Sequence, residues 1–456
     1  MRYDLVIKNG HLITGHQRLN ADIGVLGETI AAIGHELTGE REVDASGLYV
    51  LPGAIDAHVH FDNPTFPPHD YPTADDFATG SVAAALGGVT TVIDFAQPRP
   101  GQSLVEEVER RKDDARGQSI VDYALHLNYR DPDPSRLAEI PDVFRCGVPT
   151  FKLYMAYEGY RLPDVAILRA MEAVAAQDGL VIMHAENFDI VQEMQRRLEE
   201  TGRTGPGWHT ASHPAVMEGE GIYRSLALAE LAGARVLIFH VSCLEGVREI
   251  RNAKRRGQTV YGEACIHHLA YTDEVYCEDS DPVCSLMVIP PIRNETHRRA
   301  LWQGVADGTL DIVSTDHCPR PKLPDRATQA PGASGLEVRL ALLHTLGVRK
   351  GRIDLNRWVM TCCTKPAELF GLDRKGHIAP GYDADLILFD PEKDVTFSAS
   401  TLHTPLSFSS YEGVTVKGYP WATLSRGEII AKDGEILAEP GRGRFIERSY
   451  ADGPEV

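Results

Sequence analysis

The chain has little cysteine, and what it has is not arranged to chelate or cross-link. Its eight cysteines, at 146, 243, 265, 277, 284, 318, 362 and 363, show no CxxC spacing, which argues against both a disulfide framework and a structural zinc site. Free thiols in a reducing compartment are expected. Long apolar runs are also missing, none approaching the roughly 18 residues of a membrane helix. The opening stretch MRYDLVIKNGHLITG has no basic segment leading into an apolar run and a small-residue cleavage site, so it does not read as a secretory signal. A cytoplasmic location is expected. Positive charge is scarce as well. The formal net charge is −19, and neither half carries a basic block that would neutralise phosphates or anionic headgroups, so neither nucleic acid nor a membrane is expected as a partner. Repeats of fixed period and low-complexity segments are absent too.

What remains is an ordinary globular composition, 43% hydrophobic and 24% charged over 456 residues, which suits one large domain and a smaller one. Short apolar runs recur through the middle of the chain, each bounded by Gly, Asp or Pro and followed by a polar stretch with helical spacing. They are AIDAHVH (54–60), VTTVIDF (89–95), VDYALHL (121–127), VPTFKLY (148–154), LVIMHA (180–185), RVLIFHV (235–241), TVYGEA (259–264) and DIVSTD (311–316). Such alternation builds parallel sheets, and eight strand–helix units closing on themselves give a (β/α)8 TIM-like barrel, expected over residues 52–375. Residues 1–51 and 376–440 are short β-type runs separated by Gly and Asp turns, and are expected to pair into one small β-sandwich domain built from both chain ends. Residues 441–456 read as a polar, turn-rich tail, either wrapped on a neighbouring subunit or mobile.

The candidate functional residues fall at the strand ends. His58 and His60 end the first predicted strand, Lys152 lies late in the fourth, and His184, His240 and Asp316 close the fifth, sixth and eighth. In a barrel those ends all face one cavity. Two histidines two apart on a strand leave the same face and can grip one ion, although HxH alone also suits a hydrogen-bonded core pair. His184 and His240 each interrupt a run that packing alone would keep apolar, and a buried imidazole requires a partner. The convergence favours metal ligation. Lys152 sits inside an apolar strand, where an unpaired ammonium is costly and its pKa falls toward neutrality. The resulting amine can form a Schiff base with a carbonyl substrate or take up carbon dioxide as a carbamate, whose two oxygens can bridge two cations; the histidines and aspartate around it favour the bridge. Asp316 can hold a metal and accept a proton from water acidified by it, or cap a helix N-terminus. His267, His268 and His317 stay unassigned.

Taken together, LPGAIDAHVH, TADDFATGSVAAALGGVTTVIDF, PTFKLYMAY, VIMHAEN, IFHVS, STDH and GHIAPGYDADLILFD resemble the amidohydrolase superfamily, and within it the cyclic amidases of the dihydropyrimidinase and hydantoinase group, over nearly the whole chain. The resemblance implies two divalent ions, zinc by preference. One is held by His58, His60, carboxylated Lys152 and Asp316, the other by the same lysine with His184 and His240. It further implies that a hydroxide bridging the metals attacks a ring amide, with Asp316 as general base and acid and Tyr157 donating to the oxyanion; Tyr154 is assigned to packing or to the pocket wall. The ring's amide edge is bound by backbone groups, here next to Ile289-Pro290-Pro291 and Pro331-Gly332, where the family has Ser-Pro-Pro and Asn-Gly. The expected partner is a small cyclic amide or ureide, and the expected assembly a homotetramer. The loop FDNPTFPPHDYPTADDF is Pro-rich and longer than the usual dihydropyrimidinase version, which keeps allantoinase and dihydroorotase open as alternative activities. A non-catalytic structural relative would have lost ligands, and none is lost here.

Overall fold

The computed structural model describes residues 2–62, 72–277, 280–321 and 332–450. Five strands open the chain: β1 (Tyr3–Ile13), β2 (Arg18–Leu26), β3 (Thr29–Gly34), β4 (Gly39–Asp44) and β5 (Tyr49–Pro52). Eight follow through the middle: β6 (Ala54–Asp56), β7 (Val89–Ala96), β8 (Asp122–Asn128), β9 (Thr150–Tyr154), β10 (Leu180–His184), β11 (Arg235–Ile238), β12 (Val260–Cys265) and β13 (Ile312–Ser314). Four close it: β14 (Leu386–Thr396), β15 (Thr415–Ser425), β16 (Glu428–Lys432) and β17 (Glu435–Ile436).

The middle eight form one sheet in chain order, every neighbour parallel. Every residue of β7 to β10 is buried, as expected of strands covered on both faces and rich in Val, Ile and Leu. Helices such as Leu104–Ala115, Asp164–Ala175, Ala215–Ala232 and Leu244–Arg255 fill the crossovers. The first of the crossover helices, Phe77–Leu86, is started by a reciprocal cap between Asp76 and Thr79, which satisfies donors that have no partner within the helix. The two ends of the sheet meet just beyond β6 and β13. There Val59 and His317 form a parallel bridge, the His60 amide donates to the His317 carbonyl at 2.8 Å and the His317 amide to the His58 carbonyl at 3.1 Å. Below that point the buried Arg339 donates to the carbonyls of Val313 and Ile55, tying the two edge strands through one guanidinium. The result is a nearly closed (β/α)8 barrel. Ile55, Ile93, Ala124, Ile182, Leu237 and Ile312 belong to one apolar cluster with Leu369 and Phe370, so the barrel is a packed core.

The outer strands form a second, largely antiparallel sheet in the order β17-β16-β15-β14-β5-β1-β2-β3, with β4 beside β1. β5 pairs with β14, which joins the two ends of the chain. The ladders are shorter than the apolar runs read from sequence. β6 stops at Asp56, β11 at Ile238 and β13 at Ser314, so His58, His60, His240 and Asp316 stand on the turns that leave the strands. Residues 441–450 lie against their own barrel: the Tyr123 amide donates to the Arg444 carbonyl and the Ile446 amide to the Tyr123 carbonyl, while Arg448 is buried and reaches the Leu125 and Phe370 carbonyls and the Thr150 hydroxyl.

Candidate metal centre

The six residues singled out as ligands meet at one end of the barrel. The Nε2 atoms of His58 and His60 each lie 3.1 Å from the same oxygen, Asp316 Oδ1, and the three side chains place one ligand atom apiece within 4.8 Å of the others. Across from them His184 Nδ1 and His240 Nε2 approach to 2.9 Å. The His58 and His240 rings lie 5.6 Å apart, which brings the two groups together. Lys152 Nζ is fully buried over the Phe239 ring, 4.1 Å from its centroid, and 5.3 Å from that of Tyr154.

The electrostatics follow from burial. Desolvation pushes the Lys152 amine down to about 7, even though Glu263 and Asp316 favour its charged form. His60 is pushed down to about 4, and His184 and His240 are also lowered, in each case chiefly by burial. Neutral imidazoles keep a lone pair free, as ligation requires. Burial would raise Asp316, but His58, His60 and His240 outweigh it and hold the carboxyl well below its ordinary range. Two buried atoms in this group, Lys152 Nζ and His240 Nδ1, have no hydrogen-bond partner among the described residues. Orphaned polar atoms are rare in interiors, and neutral nitrogens converging on a carboxylate form a donor set that suits divalent cations. The residues therefore fit a metal centre.

Strain marks the same place. His240, Asp316 and Tyr157 have φ of +39°, +48° and +69°, a left-handed conformation that costs non-glycine residues about 1–3 kcal/mol each and concentrates at functional sites. Tyr157 lies 4.7 Å, ring to ring, from His184, and its hydroxyl is 3.4 Å from the Ile289 carbonyl. Burial raises that phenol well above its ordinary range, so it stays protonated as a donor. The flanking carbonyls of the Ile289 loop are already engaged: Val288 accepts from His209 Nε2 at 2.7 Å and Pro290 from His268 Nε2 at 2.9 Å. Arg293 fixes the end of the loop on buried Glu218 at 2.8 Å. Pro331 lies outside the described residues; Gly332, next to it, packs so closely on the Cys318 carbonyl that a Cβ would stand 1.8 Å from it.

Sequence reasoning missed Glu263, inside β12. Its Oε1 accepts from the His240 amide and lies 2.9 Å from His58 Nδ1, linking the two halves of the centre. A glutamate inside the run TVYGEA was its only signal. Glu186 was missed as well: it lies 2.9 Å from His184 Nε2 through one oxygen and 2.9 Å from His213 Nδ1 through the other. A hydrogen bond of this kind fixes the orientation of a ligating imidazole. His317, unassigned from sequence, pairs with buried Asp75 at 2.8 Å and accepts the Gly335 and Leu336 amides, a structural role beside the centre. Tyr154 both packs and lines the site, its hydroxyl donating to Asn128 Oδ1 at 3.3 Å.

Residues 49–430 match the amidohydrolase family. The chain belongs to that family. It is similar to a D-hydantoinase of Ralstonia pickettii, 37% identical over 98% of this chain and 99% of the relative, and to a D-hydantoinase of Rhizobium radiobacter, also 37% identical over the same shares of both chains. Among solved structures, the dihydropyrimidinase of Brevibacillus agri superposes with a TM-score of 0.95 at 34% identity, covering 98% of this chain and 99% of that one. With full-length relatives of this kind, the chain is an enzyme of the cyclic amidohydrolase type. Among the described residues no helix is long and apolar enough to cross a membrane.

Proposed function

We propose that the protein opens a small cyclic amide or ureide, of the dihydropyrimidine or hydantoin kind, by metal-dependent hydrolysis. The observation that carries this reading is the set His58, His60, Asp316, His184 and His240, buried or partly buried, around a buried lysine whose amine has no hydrogen-bond partner among the described residues and is pushed down to about 7. His58, His60, Lys152 and Asp316 would hold one divalent ion, and Lys152, His184 and His240 the other, zinc being the ion proposed. When bound, the ions would polarise the ring carbonyl and bring the acidity of an attacking water into the neutral range.

The chain's own residues supply the rest. A neutral Lys152 amine can attack carbon dioxide: the N–C bond forms as one C=O π pair moves onto oxygen, one N–H proton passes to water, and the resulting carbamate carries two oxygens and a negative charge into a nest of neutral imidazoles. Asp316, ionised and within reach of His58 and His60, takes the proton of the attacking water and returns it to the ring nitrogen as the C–N bond breaks. Tyr157, protonated and exchanging its long contact with the Ile289 carbonyl for the substrate, donates to the oxygen on which charge develops. The Ile289 carbonyl thereby becomes free to accept an N–H of the ring, and the backbone at Pro331 is assigned to the same edge. Glu263 and Glu186 hold the imidazoles in their ligating orientation.

A cytoplasmic location and a homotetrameric assembly complete the proposal. In support of the latter, two adjoining helices linked by Arg224 and Asp164 leave Val165, Val216, Tyr223 and Leu231 exposed, the last 72% accessible, and large apolar side chains left exposed on one helix pair suit a subunit contact. The substrate class is tested by assaying ring opening of dihydrouracil, hydantoin, allantoin and dihydroorotate side by side with metal-analysed enzyme. Turnover of dihydrouracil or hydantoin is expected. Turnover of allantoin or dihydroorotate alone would move the assignment to those activities on the same scaffold, and silence on all four with metal bound would overturn it.

A further inference from the structure

Beside the metal centre, at the C-terminal end of β7, lies a second cavity of about 560 Å³, a size suited to a small organic ligand. Two of its wall residues connect it to the centre through ring contacts. Phe95, on its wall, stacks on His60 with centroids 4.7 Å apart. Tyr160, on another wall, packs edge-on against Tyr154 at 5.3 Å, and Tyr154 in turn stacks toward His184 at 6.0 Å.

The lining is unusual for a chain with a formal charge of −19: it includes four arginines, at 99, 110, 111 and 130. Two of them are neutralised by carboxylates, Arg110 by Glu107 and Asp114, each at 2.7 Å, and Arg111 by Asp94 and Asp114. The other two have no carboxylate partner among the described residues. Arg130 donates its Nε–H to the Pro98 carbonyl at 2.8 Å, lies over the Tyr160 ring at 4.3 Å and hydrogen-bonds the Tyr160 hydroxyl, which orients its guanidinium on the cavity wall. Arg99 is exposed, with its backbone fixed by Gln102 at 3.0 Å. Both bear on one hydroxyl: burial raises Tyr160, and Arg130, Arg320 and Arg99 pull against that rise. The acids on the lining are Glu107, already paired, and Asp62, so the cations left over exceed the anions.

We propose that this cavity is the subsite for a negatively charged substituent of the ring, a carboxylate held by Arg99 and Arg130. The natural substrate is then a cyclic amide or ureide bearing an anionic arm, and Arg99 and Arg130 determine specificity. The inference rests on the ring-opening reading above. A planar guanidinium suits a carboxylate through paired hydrogen bonds. A neutral arm of the same shape would forgo both charges.

The test compares two hydantoins that differ only at the end of the C5 arm, one carrying a 2-carboxyethyl group and the other the isosteric carboxamide, with unsubstituted hydantoin as reference and the metal-loaded enzyme throughout. The carboxylate is expected to exceed the carboxamide in kcat/KM by at least roughly tenfold, the scale of a charge-assisted hydrogen bond, mostly through KM, and the advantage should shrink as sodium chloride is added. Arg99→Gln and Arg130→Gln should each draw the carboxylate-to-carboxamide ratio toward one. Because this is a ratio, a variant that merely folds less well loses both rates together and leaves it unchanged. Equal or better use of the carboxamide by the parent enzyme, or a ratio that survives both substitutions, overturns the subsite while hydrolysis of hydantoin keeps the ring-opening reading in place. Failure to open any ring, hydantoin included, overturns that reading and the subsite with it.

Discussion

At the scale of the residue, Lys152 joins the two halves of the proposed centre, and its substitution is the sharpest single change. Lys152→Ala removes the amine that would carry the carbamate, and should lose most of the bound metal and nearly all ring-opening activity. Acetate or propionate should restore part of it by filling the vacated space, measured as rate against carboxylate concentration; full activity in the variant without added acid would remove the lysine from the chemistry. Tyr157→Phe deletes a donor aimed at developing charge, so kcat should fall by about 10²-fold with a much smaller change in KM, and an unchanged kcat would refute the role. Lys152 and the histidines were legible in the sequence because each violates its surroundings, an imidazole or an amine in an apolar run having no packing reason to be there, whereas Tyr157 was legible only through the family resemblance. Glu263 and Glu186 were not, since a single carboxylate next to a strand end reads as a boundary. Its meaning lies in partners that are 205 residues away along the chain in the case of Glu263 and His58.

At the scale of the element, the alternation of apolar runs and helical spacing made all eight barrel strands legible, because strands buried on both faces must be apolar throughout. Where each ladder stops was not legible. The runs read from sequence continue past Asp56, Ile238 and Ser314, where the ladders stop, and this places the ligands on turns. The attachment of the end sheet to the barrel was equally invisible. Buried Lys375 reaches Asp122 of β8 at 2.7 Å, Asp385 at 2.8 Å and Asp383 at 3.0 Å, and Arg426 reaches Asp122 at 3.1 Å, while the Arg444 amide also donates to that aspartate. Lysine and aspartates scattered from 122 to 426 look like solvated surface in a sequence. Lys375→Met removes the cation shared by three buried carboxylates, leaving Arg426 on Asp122, Arg374 on Asp383 and only a backbone amide on Asp385, and should destabilise the fold by about 3–5 kcal/mol, read from the urea midpoint of the unfolding transition. A shift within error would show that the cluster is dispensable.

At the scale of the whole molecule, the apolar side chains exposed on the helices Asp164–Ala175 and Ala215–Ala232 bear on assembly. Sedimentation should give a particle of four chains, and Tyr223→Glu, which sets a charge in the middle of the apolar face, should shift it toward smaller species; a monomeric parent protein would contradict the proposed tetramer. Architecture and chemistry both remain consistent with a site built where strand ends converge, with six side chains contributed from five strand ends and a metal requirement that no single motif carries.

The most direct test of that requirement is ring opening of hydantoin or dihydrouracil before and after exhaustive chelation, with metal loss verified by elemental analysis and the protein then reloaded with zinc. About two ions per chain in the active enzyme, loss of activity in step with loss of metal, and recovery on reloading are predicted. Full activity in protein shown to be metal-free would contradict the account at its centre.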